Sequence, residues 1–520
     1  MTAKTRYDKL SSDRSQYLRV AEDASKLTIP YLIHQDENVT GMRNLKTPWQ
    51  SVGAKGVVTL SAKLMMSLLP PQTSFFKLQV DETKLGEYGP EVKSELDLAF
   101  AKVERVILEA IAASDDRVTV HQAMKHLVVS GNALIFMGKN GLKLFPLNRY
   151  VINRDGNGNV LEIVNKEKIA KKIIDVLVPG IKTDDVNRDS DDDSKDCDVY
   201  THVKVDGNKV VWHQEVYDKI IPKSQGKAPL NITPWLPLRF NVVDGEDYGR
   251  GRVEEFMGDL KSLEALSQAL VEGSAAAAKV VFTVSPSSST KPQTLAQAGN
   301  GAIIQGRPDD IGVVQVAKGA DFQTAYQAAT TLEKRLSEAF LVLNVRQSER
   351  TTAEEVRMTQ MELEQQLGGL FSLLTVEFLV PYLDRKLSVM QKNGSIPRIP
   401  KDVVKPTIVA GINALGRGQD RESLTMFMQT IAQTVGPEAM MQFINPDEVI
   451  KRLAAASGID VLNLVKSMQE IQGERQQQME QQMAMQEQQN APAMAAVDQK
   501  QTQAEMQMAM QAQQQEQPLG

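Results

Sequence analysis

Arg346 and Arg350 stand four residues apart in Asn344-Val345-Arg346-Gln347-Ser348-Glu349-Arg350, a polar and basic stretch. Guanidinium groups offer a planar fork of donors to phosphate or carboxylate oxygens, and the Gln347 amide lies between them. Directly behind comes Thr351-Thr352-Ala353-Glu354-Glu355-Val356-Arg357, which holds two overlapping capping boxes: Thr351 with Glu354, and Thr352 with Glu355. Either threonine can accept a bond from an orphan backbone N–H while its glutamate reaches back to the cap. A helical pattern then runs to about Lys392, interrupted by Gly368-Gly369 and Pro381. Unbroken, it would be about 60 Å long at 1.5 Å per residue. The glycine pair and Pro381 are its hinge candidates. A basic connector at the head of a long kinked helix reads as a moving part that faces an anion. The same residues also read as a solvated helix–helix loop.

Other chemistries find less support. The chain has no G-x-x-x-x-G-K-S/T loop, no G-x-S-x-G elbow and no H-E-x-x-H helix. His121 and His126 are five apart on a predicted helix, whereas four would place two ligands on one face. His202 and His213 fall on predicted neighbouring strands and can meet, but no cysteine or carboxylate set at ligand spacing accompanies them. Asp191-Asp192-Asp193 sits in an acidic stretch, 184–198, that lacks the central Gly and final Glu of a calcium loop. It reads as a solvated loop. No catalytic residue, metal site or cofactor is therefore expected, and the chain does not read as an enzyme.

Acidic residues outnumber basic ones, 65 to 59, for a net charge of −6. That argues against a protein that coats nucleic acid, which needs clustered Lys and Arg, but is compatible with a local basic ring. The single cysteine, Cys197, excludes an intramolecular disulfide and fits a reducing cytoplasm. The N-terminal residues have no apolar core and are not a signal peptide. No run of about 18 apolar residues occurs, so no membrane span is expected. The nearest candidate, Val57 to Leu69, is short and carries Lys63.

The elements that must position these residues follow from periodicity. Helices are predicted at 7–29, at 48–69 with Val57, Leu60, Leu64 and Leu68 inward, and at 90–113 with Val92, Leu96, Ala99, Val103, Val106 and Ala110 inward. A fourth, 118–129, ends at the C-cap Ser130-Gly131-Asn132. Strands follow at 134–137, 142–145, 150–152 and 160–164, the last after the turn Asp155-Gly156-Asn157-Gly158-Asn159. A short helix is predicted at 166–177, then strands at 199–205, 209–216 and 236–243. Long helices at 250–281 and 321–343 bracket a Pro/Ser/Gly-rich module, 285–319, with short strands at Ala302-Ile303-Ile304 and Val313-Val314-Gln315-Val316. Short helices come at 420–435, 446–456 and 460–471. From Gln469 the chain collapses to Gln, Met, Ala and Glu, a marginal solvated helix or disorder. The fold class is α+β, predominantly helical.

Collinear blocks over roughly residues 7 to 470 then resemble one family. They are Thr47-Pro48-Trp49-Gln50-Ser51-Val52-Gly53-Ala54-Lys55-Gly56, Lys63 to Thr73, Leu127-Val128-Val129-Ser130-Gly131-Asn132, and Asp198-Val199-Tyr200-Thr201-His202. Further along come Asp244-Gly245-Glu246-Asp247-Tyr248-Gly249-Arg250, Gly258-Asp259-Leu260-Lys261-Ser262-Leu263-Glu264, Gly306-Arg307-Pro308-Asp309-Asp310-Ile311, the Thr352 cap, and Gly416-Arg417-Gly418-Gln419-Asp420. The ordered set resembles the portal, or head-to-tail connector, proteins of T-seven-like short-tailed bacteriophages. The stretch 184–198 and the Gln/Met tail fall outside the resemblance.

The resemblance implies a homo-oligomeric ring of about twelve subunits, a dodecamer, at one capsid vertex, with double-stranded DNA passing through its axis. It implies a portal fold of wing (1–245), stem helices (246–284 and 321–343), clip (285–320) and tunnel loop (344–351). A long kinked wing helix (352–398), a crown (399–470) and the Gln/Met-rich tail (471–520) complete it. Arg346, Gln347 and Arg350 then become channel candidates that touch phosphate without reading bases. Against this stands a pairing of the arginines with Glu349 or a neighbouring subunit. The implied partners are the terminase large subunit, which would hold the ATPase, then tail adaptor and tail proteins. Scaffold, major capsid and internal core proteins are also implied. The implied place is the virion, with assembly in the host cytoplasm. A helical scaffold or adaptor without a DNA channel is the alternative.

Overall fold

The computed structural model describes residues 1–34, 45–69, 75–80, 90–139, 141–170, 196–277, 281–314, 319–342, 369–397, 404–407, 424–434 and 501–510, with 436, 444, 449 and 481 singly. Two compact units divide the chain, Met1–Ala414 and Leu415–Gly520. In the second, residues 424–434 and 501–510 are helical, and 501–510 is exposed throughout.

The first unit opens with α1 (Ala3–Lys26), capped by the Thr2 hydroxyl, which accepts from the Thr5 N–H. Ala3, Tyr7, Leu10, Arg14, Leu18 and Ala21 are its buried stripe. The helix stops four residues before Pro30, where Thr28 Oγ1 turns back to donate to the Ala24 carbonyl. Then come α2 (Val52–Leu68), α3 (Pro90–Ala112) and α4 (Asp116–Ser130). On α2 the inward set Val57, Leu60, Leu64 and Leu68 is fully buried, as the spacing required. α2 starts four residues later than the expected 48. The Gln50 amide oxygen accepts from the Gly53 N–H.

On α3 the stripe is shifted from the expected one. Phe100, Val103, Ile107 and Ile111 are buried while Ala99 and Val106 face outward. Val92 and Leu96 lie outside the described side chains. Burying Phe100 and two isoleucines removes more apolar surface than burying alanines, so size decides the helix rotation.

Next come β2 (Asn132–Gly138), β3 (Gly141–Phe145), β4 (Tyr150–Arg154), β5 (Val160–Ala170), β6 (Asp196–Asp206), β7 (Lys209–Val216), β8 (Lys219–Ile220), β9 (Gly226–Pro229) and β10 (Trp235–Arg239). They form two antiparallel sheets. One is β10-β2-β3; the other runs β4-β5-β6-β7-β8, with β9 also on β7. A strand pair, β1 (Lys77–Val80) with β13 (Val404–Thr407), lies apart.

The helix expected at 166–177 is contradicted. Residues Lys166 to Ala170 extend β5 and pair with β6, from Lys166 opposite Tyr200 to Ala170 opposite Asp196; 171–177 lie outside the described residues. A helix-like Lys/Ile pattern yields to ladder bonds on a sheet already in register. The end of the acidic stretch 184–198 is likewise strand, with Cys197 buried and Asp198 Oδ2 3.1 Å from Lys166 Nζ.

The turn between α4 and β2 is fixed by sterics. Gly131 is left-handed, φ +74°, and a Cβ there would lie 2.4 Å from the Arg250 carbonyl carbon and 2.6 Å from the Gly249 oxygen. Asn132 locks the same approach: its amide donates to the Gly249 carbonyl and its oxygen accepts from the Gly249 N–H, each at 2.8 Å. Two sequence blocks more than a hundred residues apart therefore meet here.

On α4, His126 is buried, and among the described residues its Nδ1 has no hydrogen-bond partner. Burial holds its pKa down at about 4, from 6.5, with Lys125 adding to the shift. The unfolded chain therefore binds this proton more tightly than the folded one. Stability is full above about pH 6.5 and falls as the pH drops toward 4, by about 3 kcal/mol for this group. His126→Leu is expected to flatten the acid limb of a melting-temperature profile across that window. An unchanged slope would refute it.

Candidate functional site

The connector candidates Arg346, Gln347 and Arg350, the capping residues Thr351, Thr352, Glu354 and Glu355, and Gly368 lie outside the described residues. What the structure describes is how the chain is held on either side of them.

The leading side is a helix pair. The helix expected over 250–281 is three pieces: α5 (Arg252–Glu255), α6 (Met257–Ala277), broken from it at Phe256, and the strand β11 (Val281–Val284). After α7 (Pro292–Gln297) and β12 (Ile311–Val314), α8 (Gly319–Ala339) returns along α6. Leu260 and Leu263 of α6 and Leu336 and Phe340 of the other arm are buried together. Phe256 and Phe340 have ring centroids 5.9 Å apart. At the far end a Cβ on Gly273 would fall 2.4 Å from the Phe322 ring, so the glycine permits the close approach. Asp259 and Arg335 pair across the helices at 2.9 Å. Below, Glu264 accepts from the Trp49 and Gln50 N–H groups at 2.9 and 3.3 Å, which ties α6 to the start of α2.

The expected helix 321–343 ends four residues early, at Ala339. Leu341 N–H donates to the Glu338 carbonyl and Val342 N–H to the Ser337 carbonyl, the paired bonds of a Schellman turn. Its left-handed position, usually glycine, is Leu341 at φ +55°, which costs about 1–2 kcal/mol for an L-residue. Burial of Leu341 and a cation offset this. Lys63 Nζ donates to the Leu341 carbonyl at 2.5 Å, and Arg252 Nη2 to the Ala339 carbonyl at 3.3 Å. Burial lowers the Lys63 pKa. Beside it a Cβ on Gly56 would lie 2.7 Å from the Phe340 ring, so α2 receives Phe340 in a notch.

On the trailing side, the described helix runs from Gly369 through a π turn, Thr375–Leu379, into α9 (Val380–Lys392). Val380 N–H donates to the Thr375 carbonyl, five residues back. Pro381 explains the widening. It has no N–H for the Glu377 carbonyl, and its ring would press on that oxygen in a regular helix. So Pro381 sits in a continuous helix with one wide turn rather than at a break.

The π turn presents Glu377 to Arg239 at the end of β10. Arg239 Nε and Nη2 reach Oε1 at 2.8 and 2.6 Å, and the Arg239 backbone N–H reaches Oε2 at 2.8 Å. Both side chains are about nine-tenths buried, at 9% and 10% exposure. One turn on, Asp116 Oδ2 accepts from the Tyr382 hydroxyl and Lys386 Nζ, each at 2.7 Å. Burial first, and then the Asp116 charge, raises the Tyr382 pKa far above its usual value. No spacing pattern in the sequence signals these pairs, whose members are separated by 138, 266 and 270 residues.

Between α6 and α8 lies residues 281–314. β11 and β12 pair antiparallel, Val281 opposite Val314, and among the described side chains of this module only Thr290 is buried. Phe282 is 56% exposed and Ile303 fully exposed. Ala302-Ile303-Ile304, expected as strand, is an irregular loop; Gln315 and Val316 lie outside the described residues.

His202 and His213 do meet. They are directly opposed on β6 and β7, rings 5.4 Å apart, but each hydrogen-bonds its own glutamate, Glu162 at 2.6 Å and Glu215 at 2.8 Å. Those carboxylates also hold Arg6 and the Ala3 N–H of α1, so the cluster fastens a helix to a sheet. Among the described residues no group of His, Cys, Asp and Glu suits a metal ion, and no helix is long and apolar enough to cross a membrane.

Comparison with known proteins covers almost the whole chain. A family model described as bacteriophage head to tail connecting protein matches residues 1–465. The portal protein of Escherichia phage T7 is 35% identical over 493 residues, covering 92% of this chain and 90% of its own. That of Enterobacteria phage T3 is 37% identical over 476 residues, at 89% and 88% coverage. That of Enterobacteria phage SP6 is 30% identical over 486 residues, at 91% of each.

Proposed function

Because the chain belongs to the bacteriophage head to tail connecting protein family, we propose that its copies close into the portal ring through which double-stranded DNA enters and leaves the capsid. A ring of about twelve subunits is the number we favour. The role is structural: ATP hydrolysis belongs to a terminase that docks on the ring, and tail proteins later take the same end. Scaffold, major capsid and internal core proteins are its other partners. The junction of head and tail is its place in the virion.

The observation that supports a ring best is the module 281–314. Among the described side chains none of this two-stranded sheet is buried, and such a sheet is not stable alone; among the described residues neither outer edge of β11-β12 is paired, which suits a neighbour's strand. Neighbouring copies supply the missing cover. We assign 1–245 to the wing, 246–284 and 321–343 to the stem, 285–320 to the clip and 344–351 to the tunnel loop. Residues 352–398 form the returning wing helix, and 399–470 the crown.

DNA must be touched yet allowed to slide. Many phosphate contacts per subunit would hold it too tightly, whereas one or two arginines repeated around a ring make a belt of charge that reads no bases. Arg346 and Arg350 are those residues, and the buried anchors on both sides of the connector give it a fixed base. The Arg346→Ala/Arg350→Ala double variant is expected to assemble as wild type and to lose packaged DNA several-fold faster, measured by nuclease-accessible DNA in purified particles. Retention equal to wild type would remove the arginines from the channel.

A further inference from the structure

We propose that neighbouring copies of this chain join head to tail through the β7–β8 hairpin, whose Ile220, set between Lys219 and Lys223, enters the apolar cavity beside β5, β10 and the π turn of the next copy. It rests on the ring reading above and names one of the contacts that close the ring.

The cavity has a volume of about 630 Å³ and is lined mostly by apolar residues, a size that suits an inserted group larger than one side chain. Three of its lining residues, Leu161, Leu230 and Val376, are large apolar side chains left 41–69% exposed. An apolar patch around an apolar hollow marks an interaction site. Most charges on the lining are already answered. Glu162 holds Arg6 and Glu377 holds Arg239, while the Arg154 guanidinium donates to the Asp247, Gly158 and Pro237 carbonyls. Asp155 differs. It accepts from the Asn159 side chain and from backbone N–H groups, which lower its pKa. Among the described residues no cation pairs with it.

The hairpin offers the complement. Ile220 is exposed, as are Lys219 and Lys223, and among the described residues neither lysine has an acidic partner. Its shape is also held at a cost. Val216 and Lys219 pair across the two-residue loop Tyr217-Asp218, which places both loop residues in the left-handed region. With Lys223 they are three of the four non-glycine residues at positive φ among those described. Strain kept where glycine or asparagine would relieve it points to a shape that is used.

The two patches lie at opposite ends of one sheet. Glu162, beside the cavity, is opposite Lys204, whereas Lys166 is opposite Tyr200, which pairs with Glu215 and through it with Ile220. Strand spacing puts Leu161 and Ile220 of one chain roughly 20 Å apart, so the hairpin cannot fill its own cavity. Two different patches make a head-to-tail contact, which extends to a ring where the rotation closes.

Disulfide cross-linking of the full chain in a Cys197→Ser background tests this. Bridged cysteines have Cα atoms within about 7 Å, so Leu161→Cys/Ile220→Cys can link only between copies. Under mild oxidation the double variant should give a ladder of linked species up to the closed ring on non-reducing gels, and each single-cysteine variant no more than dimers. Mass photometry of the reduced samples follows assembly separately. Rings without a ladder overturn this contact and leave the ring reading standing. If the wild-type chain forms no ring, the ring reading falls and this contact with it. If the wild type closes but Leu161→Cys/Ile220→Cys does not, the pair Asn231→Cys/Lys219→Cys decides. Both of its positions are exposed and polar, and Asn231 lines the cavity. Absence of a ladder there overturns the contact.

Discussion

Glu377→Ala is expected to destabilise the first unit by roughly 3–5 kcal/mol, the usual cost of leaving a buried ion without its partner. Glu377 accepts from Arg239 Nε and Nη2 and from the Arg239 backbone N–H. Removing it strands a guanidinium that is 9% exposed and orphans a backbone donor. Glu377 also lines, with Arg154, Trp235 and Pro381, a cavity of about 630 Å³ that is open to solvent, so water entering there holds the loss toward the lower end of that range. Arg239→Met/Glu377→Leu together should recover most of the loss, since an apolar pair of similar volume needs no compensation. Glu377→Gln should fall between, keeping an acceptor but losing the charge. Chemical denaturation of the purified chain measures all three. A loss in Glu377→Ala below about 1 kcal/mol, the scale of an exposed pair, would mean the pair does not fasten the helix after the connector.

The second large effect is on assembly. Phe282→Asp/Ile303→Asp changes two side chains that are exposed in the single chain, so its effect on the folded subunit should stay within about 0.5 kcal/mol. In a ring that covers the module 281–314, the same carboxylates would be buried without partners. The variant should therefore melt like wild type and fail to form rings, as read by mass photometry of the purified protein. Normal rings would show that these positions stay open to solvent after assembly, and another surface would have to close the ring.

Much of the frame was legible because it depends on local rules. The α2 stripe follows from three- and four-residue spacing, and the Gly131 cap from the chemistry of a left-handed turn. The cross-strand meeting of His202 and His213 follows from a short hairpin. What escaped depends on partners far away in sequence. Residues Lys166 to Ala170 look helical until β6 is beside them. The stop of α8 at Ala339 carries no glycine, because Lys63 and the Phe340 notch stabilise a leucine where glycine is usual. The α3 stripe was misread by one position because spacing alone does not weigh Phe100 and the isoleucines against alanines. Pro381 was legible as a perturbation, but not its form: a wide turn that aims Glu377 at Arg239. The connector was read from Arg346, Arg350 and two capping boxes and lies outside the described residues, while the residues that hold the chain before and after it, Lys63, Asp116, Arg239 and Glu377, have no motif at all.

The central claim is that copies of this chain surround DNA. Negative-stain electron microscopy with mass determination on the purified full-length protein tests it most directly. The expected result is closed rings of about twelve subunits, with a central hole wide enough for a duplex. Filaments, or a small closed oligomer without a hole, would contradict the account and favour a scaffold or adaptor without a channel.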